Sequence, residues 1–210
     1  MTIEIATTPE GVIDTPRKTL KQKMRGFTLI ELGIVLTIVA ILALFAIPRV
    51  QGYLISGRVQ PTAAETADAV SQIRNLGAAT GGAGQPYVGM TILNLATALR
   101  DRANVLIPTL AGANSTVQHR LGTAGANVGF AVGNIANAGD AFTLTFNTVN
   151  GAACADLATA LQVQARKVVI NANTTVVKDL DAATAVPYNA ITAQSQCTTG
   201  DTNSLVFTFQ

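Results

Sequence analysis

The stretch that decides the reading runs Arg25-Gly26-Phe27-Thr28-Leu29-Ile30-Glu31-Leu32 and continues GIVLTIVAILALFAIPRV to Val50. Sixteen residues from Leu32 to Ile47 carry no charge, and between Phe27 and Ile47 the apolar run is interrupted by Glu31 and two threonines. As a helix rising about 1.5 Å per residue, this segment is roughly 30 Å long, the hydrocarbon thickness of a bilayer. Nothing downstream resembles it, so the remainder reads as a soluble domain of about 150 residues with one modest core.

The flank on the N-terminal side sets the orientation. Residues 1–26 hold Arg17, Lys18, Lys21, Lys23 and Arg25 against Glu4, Glu10 and Asp14. A basic cluster beside a single span stays in the cytoplasm, which places the domain after residue 50 across the membrane. An ordinary secretory signal has a shorter apolar core and a small-residue cleavage site, whereas this run passes into Ile47-Pro48-Arg49. The plain reading is a single-pass anchor with a basic cytoplasmic tail.

Composition narrows the classes further. The 210 residues are 49% hydrophobic and 12% charged, with a net charge of +2, the reverse of a disordered chain. The 14 basic residues stand against 12 acidic ones, so no nucleic-acid binding surface is evident. The excess charge belongs to residues 1–26; the rest of the chain holds nine residues of each sign.

Glu31 does not suit a plain anchor. A carboxylate inside the span costs up to roughly 2.5 to 3.5 kcal/mol on insertion scales, less near a helix end, and the span offers it no basic partner. Either it reaches water at the interface or it has a partner elsewhere. The string from Arg25 to Leu32 resembles the prepilin processing motif of the type IV pilin superfamily: a Gly, then a hydrophobic residue, usually Phe, with Glu fifth in the mature chain. The basic leader and the apolar helix flank it on the matching sides.

That resemblance implies an α+β type IV pilin fold, with a long N-terminal spine helix, membrane-embedded in its first half, and an antiparallel sheet packed on its second half. It implies a leader at 1–26, a helix over 27–80 that is transmembrane at about 27–47, and a globular head over 81–210. A prepilin peptidase/methyltransferase would cut between Gly26 and Phe27 and methylate the new amine of Phe27. Glu31 would meet the charged terminal amine of a neighbouring subunit during assembly. The partners implied are further copies of this chain, membrane lipid before assembly, an inner-membrane assembly platform and an outer-membrane secretin. Localisation would pass from the inner membrane, with the head periplasmic, to an extracellular fibre.

Pro48 removes a backbone donor and Gly52 weakens the next turn, so a kink is expected there. After Pro61 the segment TAAETADAVSQIRNLGAA recovers helical spacing, with Ala64, Ala67, Val70 or Ser71, Ile73 or Arg74, and Leu76 on one stripe and Glu65, Asp68 and Arg74 available to the outer face, ending at Gly77 and the glycines that follow. Residues 90–102 and 152–165 read as helices. Strands are expected at 127–132, at 141–147, in VVINANTTVV after Lys167, and in the terminal SLVFTFQ, the first two forming a hairpin. An antiparallel sheet with its apolar face on the spine helix follows.

Cys154 and Cys197 both lie beyond the span, in an oxidising compartment. They allow one intramolecular bridge, worth about 4 kcal/mol in the chain-entropy model; free thiols or an intersubunit bond are the alternatives. The layout of Cys-Ala-Asp-Leu before a helix and Gln-Cys before a final strand is similar to that of type IVb major pilins of Gram-negative bacteria. Phe27 as first mature residue departs from several of these and is commoner in type IVa pilins.

No catalytic, cofactor or metal site emerges. His119 lacks a nucleophile motif beside it and reads as exposed loop; Asp179 and Asp181 read as a solvated turn rather than a cation site; the Gly81-Gly82-Ala83-Gly84 run lacks the Lys-Ser/Thr end of a phosphate loop. The function expected is that of a major pilus subunit, not an enzyme, serving adhesion, aggregation, conjugation or motility. The alternatives are a pseudopilin of a type II secretion system and a non-polymerising anchored binding domain or minor pilin.

Overall fold

The computed structural model describes residues 28–80, 84–122, 125–173 and 175–210. The chain divides into two compact units at Ala43/Leu44. The expected leader over residues 1–26 and the expected processing site at Gly26 and Phe27 lie outside the described residues.

Helix α1 spans Leu29–Ser56. It starts on a Thr-x-x-Glu sequence: Glu31 donates its backbone N–H to Thr28 Oγ1 at 3.2 Å, and Leu32 N–H reaches the Thr28 carbonyl at 3.1 Å. The helical backbone passes through Pro48 and Gly52. The run is interrupted at Gly57-Arg58, where Arg58 N–H bonds the Ile55 carbonyl at 3.0 Å in a tightened last turn. Helix α2 then covers Val59–Thr80 and α3 covers Ile92–Leu99.

A short ribbon follows, β1 (Ile107–Thr109) paired antiparallel with β2 (Thr116–Gln118). Next come β3 (Val128–Gly133), β4 (Ala141–Val149), α4 (Gly151–Leu161), β5 (Lys167–Ile170), β6 (Lys178–Asp179), α5 (Ala190–Gln196) and β7 (Asn203–Phe209). The main sheet is antiparallel throughout, in the order β3-β4-β7-β5-β6. The expected 127–132 and 141–147 hairpin is β3–β4, in register from Val128 opposite Phe146 to Gly133 opposite Ala141.

Alternation decides which face of the sheet is dry. Phe142, Leu144 and Phe146 of β4, Leu205, Phe207 and Phe209 of β7, and Val168 and Ile170 of β5 are buried, while the intervening threonines are half-exposed. Phe142 lies opposite Phe209 with ring centroids 5.4 Å apart, and Tyr87 meets Phe142 edge-on at 4.8 Å. This face shares one core with α2, α3 and α4. The sheet therefore packs on the spine helix as expected, with α3 and α4 flanking α2.

The inward face of α2 differs from the sequence reading. Val59, Thr62, Ala63, Thr66, Ala69, Val70, Ile73 and Gly77 are buried, and Ala64 and Leu76 are exposed. Two threonines on the inner stripe misled the reading. Their hydroxyls return to the preceding turn, Thr62 to the Arg58 carbonyl and Thr66 to the Thr62 carbonyl, each at 2.7 Å, and so enter the core without unpaired groups. Gly77 does not end the helix but lets Tyr87 in, since a Cβ there would sit 2.9 Å from the ring. The strand expected over VVINANTTVV is cut to four residues because Asn171 and Ala172 turn with φ of 55° and 50°. The β1–β2 ribbon and α5, three and seven residues long, were too short to leave a periodic signal.

Candidate functional site

The first unit presents a helix that is apolar all round. Leu29 is 90% exposed, and an 18-residue window of mean hydropathy 2.8 has no share of its residues buried. A helix of this kind needs lipid or other helices around it. Its length and composition suffice to cross a membrane. Glu31 is exposed in the first turn of α1, at the helix end where the macrodipole favours an anion, and its own amide is held by Thr28. Thr37 closes its hydroxyl onto the Gly33 carbonyl at 2.9 Å, which leaves Glu31 as the charged side chain of the described span.

In the head, Cys154 and Cys197 form a disulfide with Cα atoms 5.9 Å apart, which settles the choice among bridge, free thiols and intersubunit bond. Cys154 lies in the first turns of α4 and Cys197 caps the end of α5. Beside the bridge, the fully buried Asn203 donates to the Val149 carbonyl at 3.0 Å and the Thr198 carbonyl at 2.9 Å, and its Oδ1 accepts from Thr198 N–H and from Asn171 Nδ2. One asparagine thus joins the end of β4, the turn after β5 and the chain entering β7.

Two head carboxylates expected in a solvated turn have cationic partners. Asp179 is buried and pairs with Lys167 at 2.8 Å; Asp181 pairs with Arg166. Burial pushes Asp179 up, but Lys167 and backbone amides outweigh it and hold the carboxyl below its ordinary value. The sequence reading of a solvated turn is corrected for Asp179, which lies opposite Lys167 of β5, a pairing that sequence distance hides; Asp181 stays at the surface with Arg166. Lys178 is buried and donates to the Gln162 carbonyl and, at 2.7 Å, to the Ala165 carbonyl at the end of α4; desolvation and then nearby Arg166 lower its pKa.

His119 is also corrected. It is not on an exposed loop but 3% exposed, against the ring of Phe146 at 5.6 Å. Burial lowers its pKa despite a bond to the Asn147 carbonyl. Glu65, assigned to the outer face of α2, instead receives the backbone N–H groups of Asn104, Val105 and Leu106 at 2.6 to 3.1 Å. Among the described residues no cluster of three or more His, Cys, Asp or Glu is placed to hold a metal ion.

Comparison with known proteins places both parts. The family model "Prokaryotic N-terminal methylation motif" matches residues 21–47, and the model "PilS N terminal" matches residues 94–210, more than half of the chain. The chain belongs to the PilS N-terminal family, within the type IV pilin superfamily. This pilin is 38% identical over 76 residues to the type IV major fimbrial protein FimA of Dichelobacter nodosus, a match covering 36% of the chain and 49% of that protein. The match thus spans about half the length of that relative. Among solved structures, a type IVb pilin from Salmonella typhi aligns at 22% identity and TM-score 0.45, covering 72% of the pilin and 94% of that chain. TcpA, a type IV pilin of Vibrio cholerae El Tor biotype, aligns at 14% identity and TM-score 0.44, covering 70% and 98%.

Proposed function

We propose that this pilin is the major structural subunit of a bacterial type IV pilus, polymerising through α1 into surface fibres. The observation that carries the reading is the coincidence of the methylation motif over residues 21–47 with an exposed apolar helix bearing Glu31 in its first turn. In this reading residues 1–26 are a leader removed by a prepilin peptidase on the cytoplasmic face, the bond cut is Gly26–Phe27, and the Phe27 amine is methylated. Residues 27–47 hold the subunit in the inner membrane until an assembly platform extracts it toward a secretin. The head over 81–210 is displayed outside.

The physical logic of Glu31 is charge neutralisation. A carboxylate and a terminal ammonium that meet between subunits offset part of each other's desolvation cost, and a subunit docked out of register leaves both charges stranded. Pro48 and Gly52 are the positions at which the helix backbone is softened for packing.

Electron microscopy of the native cell surface, with mass spectrometry of the fibre protein, tests this. Long fibres built of a chain that starts at methylated Phe27 are the expected result. Short, non-extending assemblies dependent on a secretion system would turn the reading to a pseudopilin, and an unprocessed chain confined to the inner membrane would overturn it in favour of an anchored domain.

A further inference from the structure

His119 is the single histidine of the chain, and no role in assembly or in the disulfide region uses it. It sits just after β2, where its own N–H bonds the Ala126 carbonyl at 3.0 Å. Its Nδ1 accepts the backbone N–H of Leu121 at 3.2 Å, and its Nε2 lies 2.8 Å from the Asn147 carbonyl. An amide N–H can only donate and a carbonyl can only accept, so this geometry admits one state: neutral imidazole with its proton on Nε2. The strand it grips is irregular. The β4–β7 register shifts between Phe146 and Val149, and Thr148, a β-branched residue, is held at φ 56°.

The grip is extended on both sides. The Leu121 carbonyl accepts Asn150 N–H at 2.7 Å, Gly122 bridges to Val149, and Asn150 is the N-cap of α4, whose early turns hold Cys154. At Gly122 a Cβ would fall 1.9 Å from the Thr148 carbonyl oxygen, so the two backbones are in close contact. Both ring nitrogens are already engaged, so a second proton would have to displace the Leu121 amide. The elements β1, β2, β3 and β4 carry no titratable side chain. The charged groups on the adjoining chain are the cations Arg120 and Arg58, whose Nη1 donates to the Arg120 carbonyl at 3.3 Å, and the acids Glu65 and Asp201, each taken up elsewhere: Glu65 by the amides of Asn104, Val105 and Leu106, and Asp201 by Asn150 Nδ2 at 2.6 Å.

We propose that His119 is an acid-operated latch: neutral, it fastens residues 119–122 to the β4 bulge, and protonation releases that strip together with the N-cap of α4. The added Nδ1–H would face the Leu121 N–H, donor against donor, in a buried site. The released state can be protonated in water and the latched state cannot, so acid shifts the balance toward release. The direction of the imidazole's titration, held down by burial, agrees.

The test uses the full chain in detergent micelles with its single histidine isotope-labelled. Nitrogen shifts of the ring are expected to report the Nε2–H tautomer at neutral pH. Below about pH 6.5 the exchange protection of the Leu121 and Asn150 amides should fall by up to about tenfold per pH unit, in step with ring protonation. In His119→Gln, whose amide has a donor and an acceptor but no proton to gain, the protection should not depend on pH over that range. A ring that titrates as freely as imidazole in water while both amides keep their protection overturns the proposal, using the unmodified protein alone. So does a His119→Gln chain that loses protection over the same pH range as the parent.

Discussion

Glu65 on α2 holds the backbone of Val105 with both carboxylate oxygens, at 3.0 and 3.1 Å, while Asn104 and Leu106 bond one oxygen each. One side chain thus satisfies three consecutive amides in a segment that leads from α3 into β1. Leu106 is buried, so water cannot fully replace the carboxylate there. Glu65→Ala should lower unfolding free energy by about 2 kcal/mol, the scale of hydrogen bonds to a charged group. Urea denaturation of the full chain in micelles measures it, and an unchanged midpoint would refute the assignment.

The disulfide closes a separation of 43 residues. Cys154→Ser with Cys197→Ser should cost about 4 kcal/mol, mostly through the freer unfolded chain. Because Asn203 and Asn171 tie the same region without it, native amide shifts in β4 and β7 should survive in the double variant. Collapse of those shifts would show that the asparagine junction cannot stand without the bridge.

Lys178→Met keeps an unbranched side chain one atom shorter and removes its charge. The carbonyls of Gln162 and Ala165, which the ammonium now satisfies, would be left without their donor. A loss of about 1 to 3 kcal/mol is expected, with exchange protection falling first at the C-terminal end of α4. A variant as stable as the parent would show that the buried cation is replaceable by a hydrophobe of similar shape.

Asp140 is buried in the β3–β4 turn and accepts the amides of Ile135, Ala136 and Asn137 at 2.7 Å each. These bonds, that of Ile135 foremost, hold its carboxyl below the ordinary value of 3.8. A depressed carboxyl stabilises the fold above its unfolded value, and that contribution is lost as pH falls through the folded value. The parent should therefore exceed Asp140→Asn in stability at pH 6, and the gap should close as pH falls below about 3.8. A gap constant from pH 6 to pH 3 would assign the stabilisation to something other than the ionised carboxyl.

Glu31→Ala should insert in the membrane and be processed, because neither step needs the carboxylate partnered, but should assemble poorly. Pilus yield by microscopy beside the processed fraction by mass spectrometry separates the two. Normal fibres from this variant would remove the pairing idea.

What the sequence determined by itself is what rests on local chemistry. The run after Gly26 announces its length, its apolarity and one misplaced acid within a single segment, and alternation in AFTLTFN and SLVFTFQ names the dry face of β4 and β7. What the tertiary structure alone decided are the roles of polar residues whose partners lie far along the chain. Glu65 finds amides about forty residues away, His119 a carbonyl twenty-eight residues away, and the threonines of α2 enter the core by bonding their own helix. A buried polar group is defined by its partner, and the partner is fixed by packing rather than by the spacing of residues along the chain.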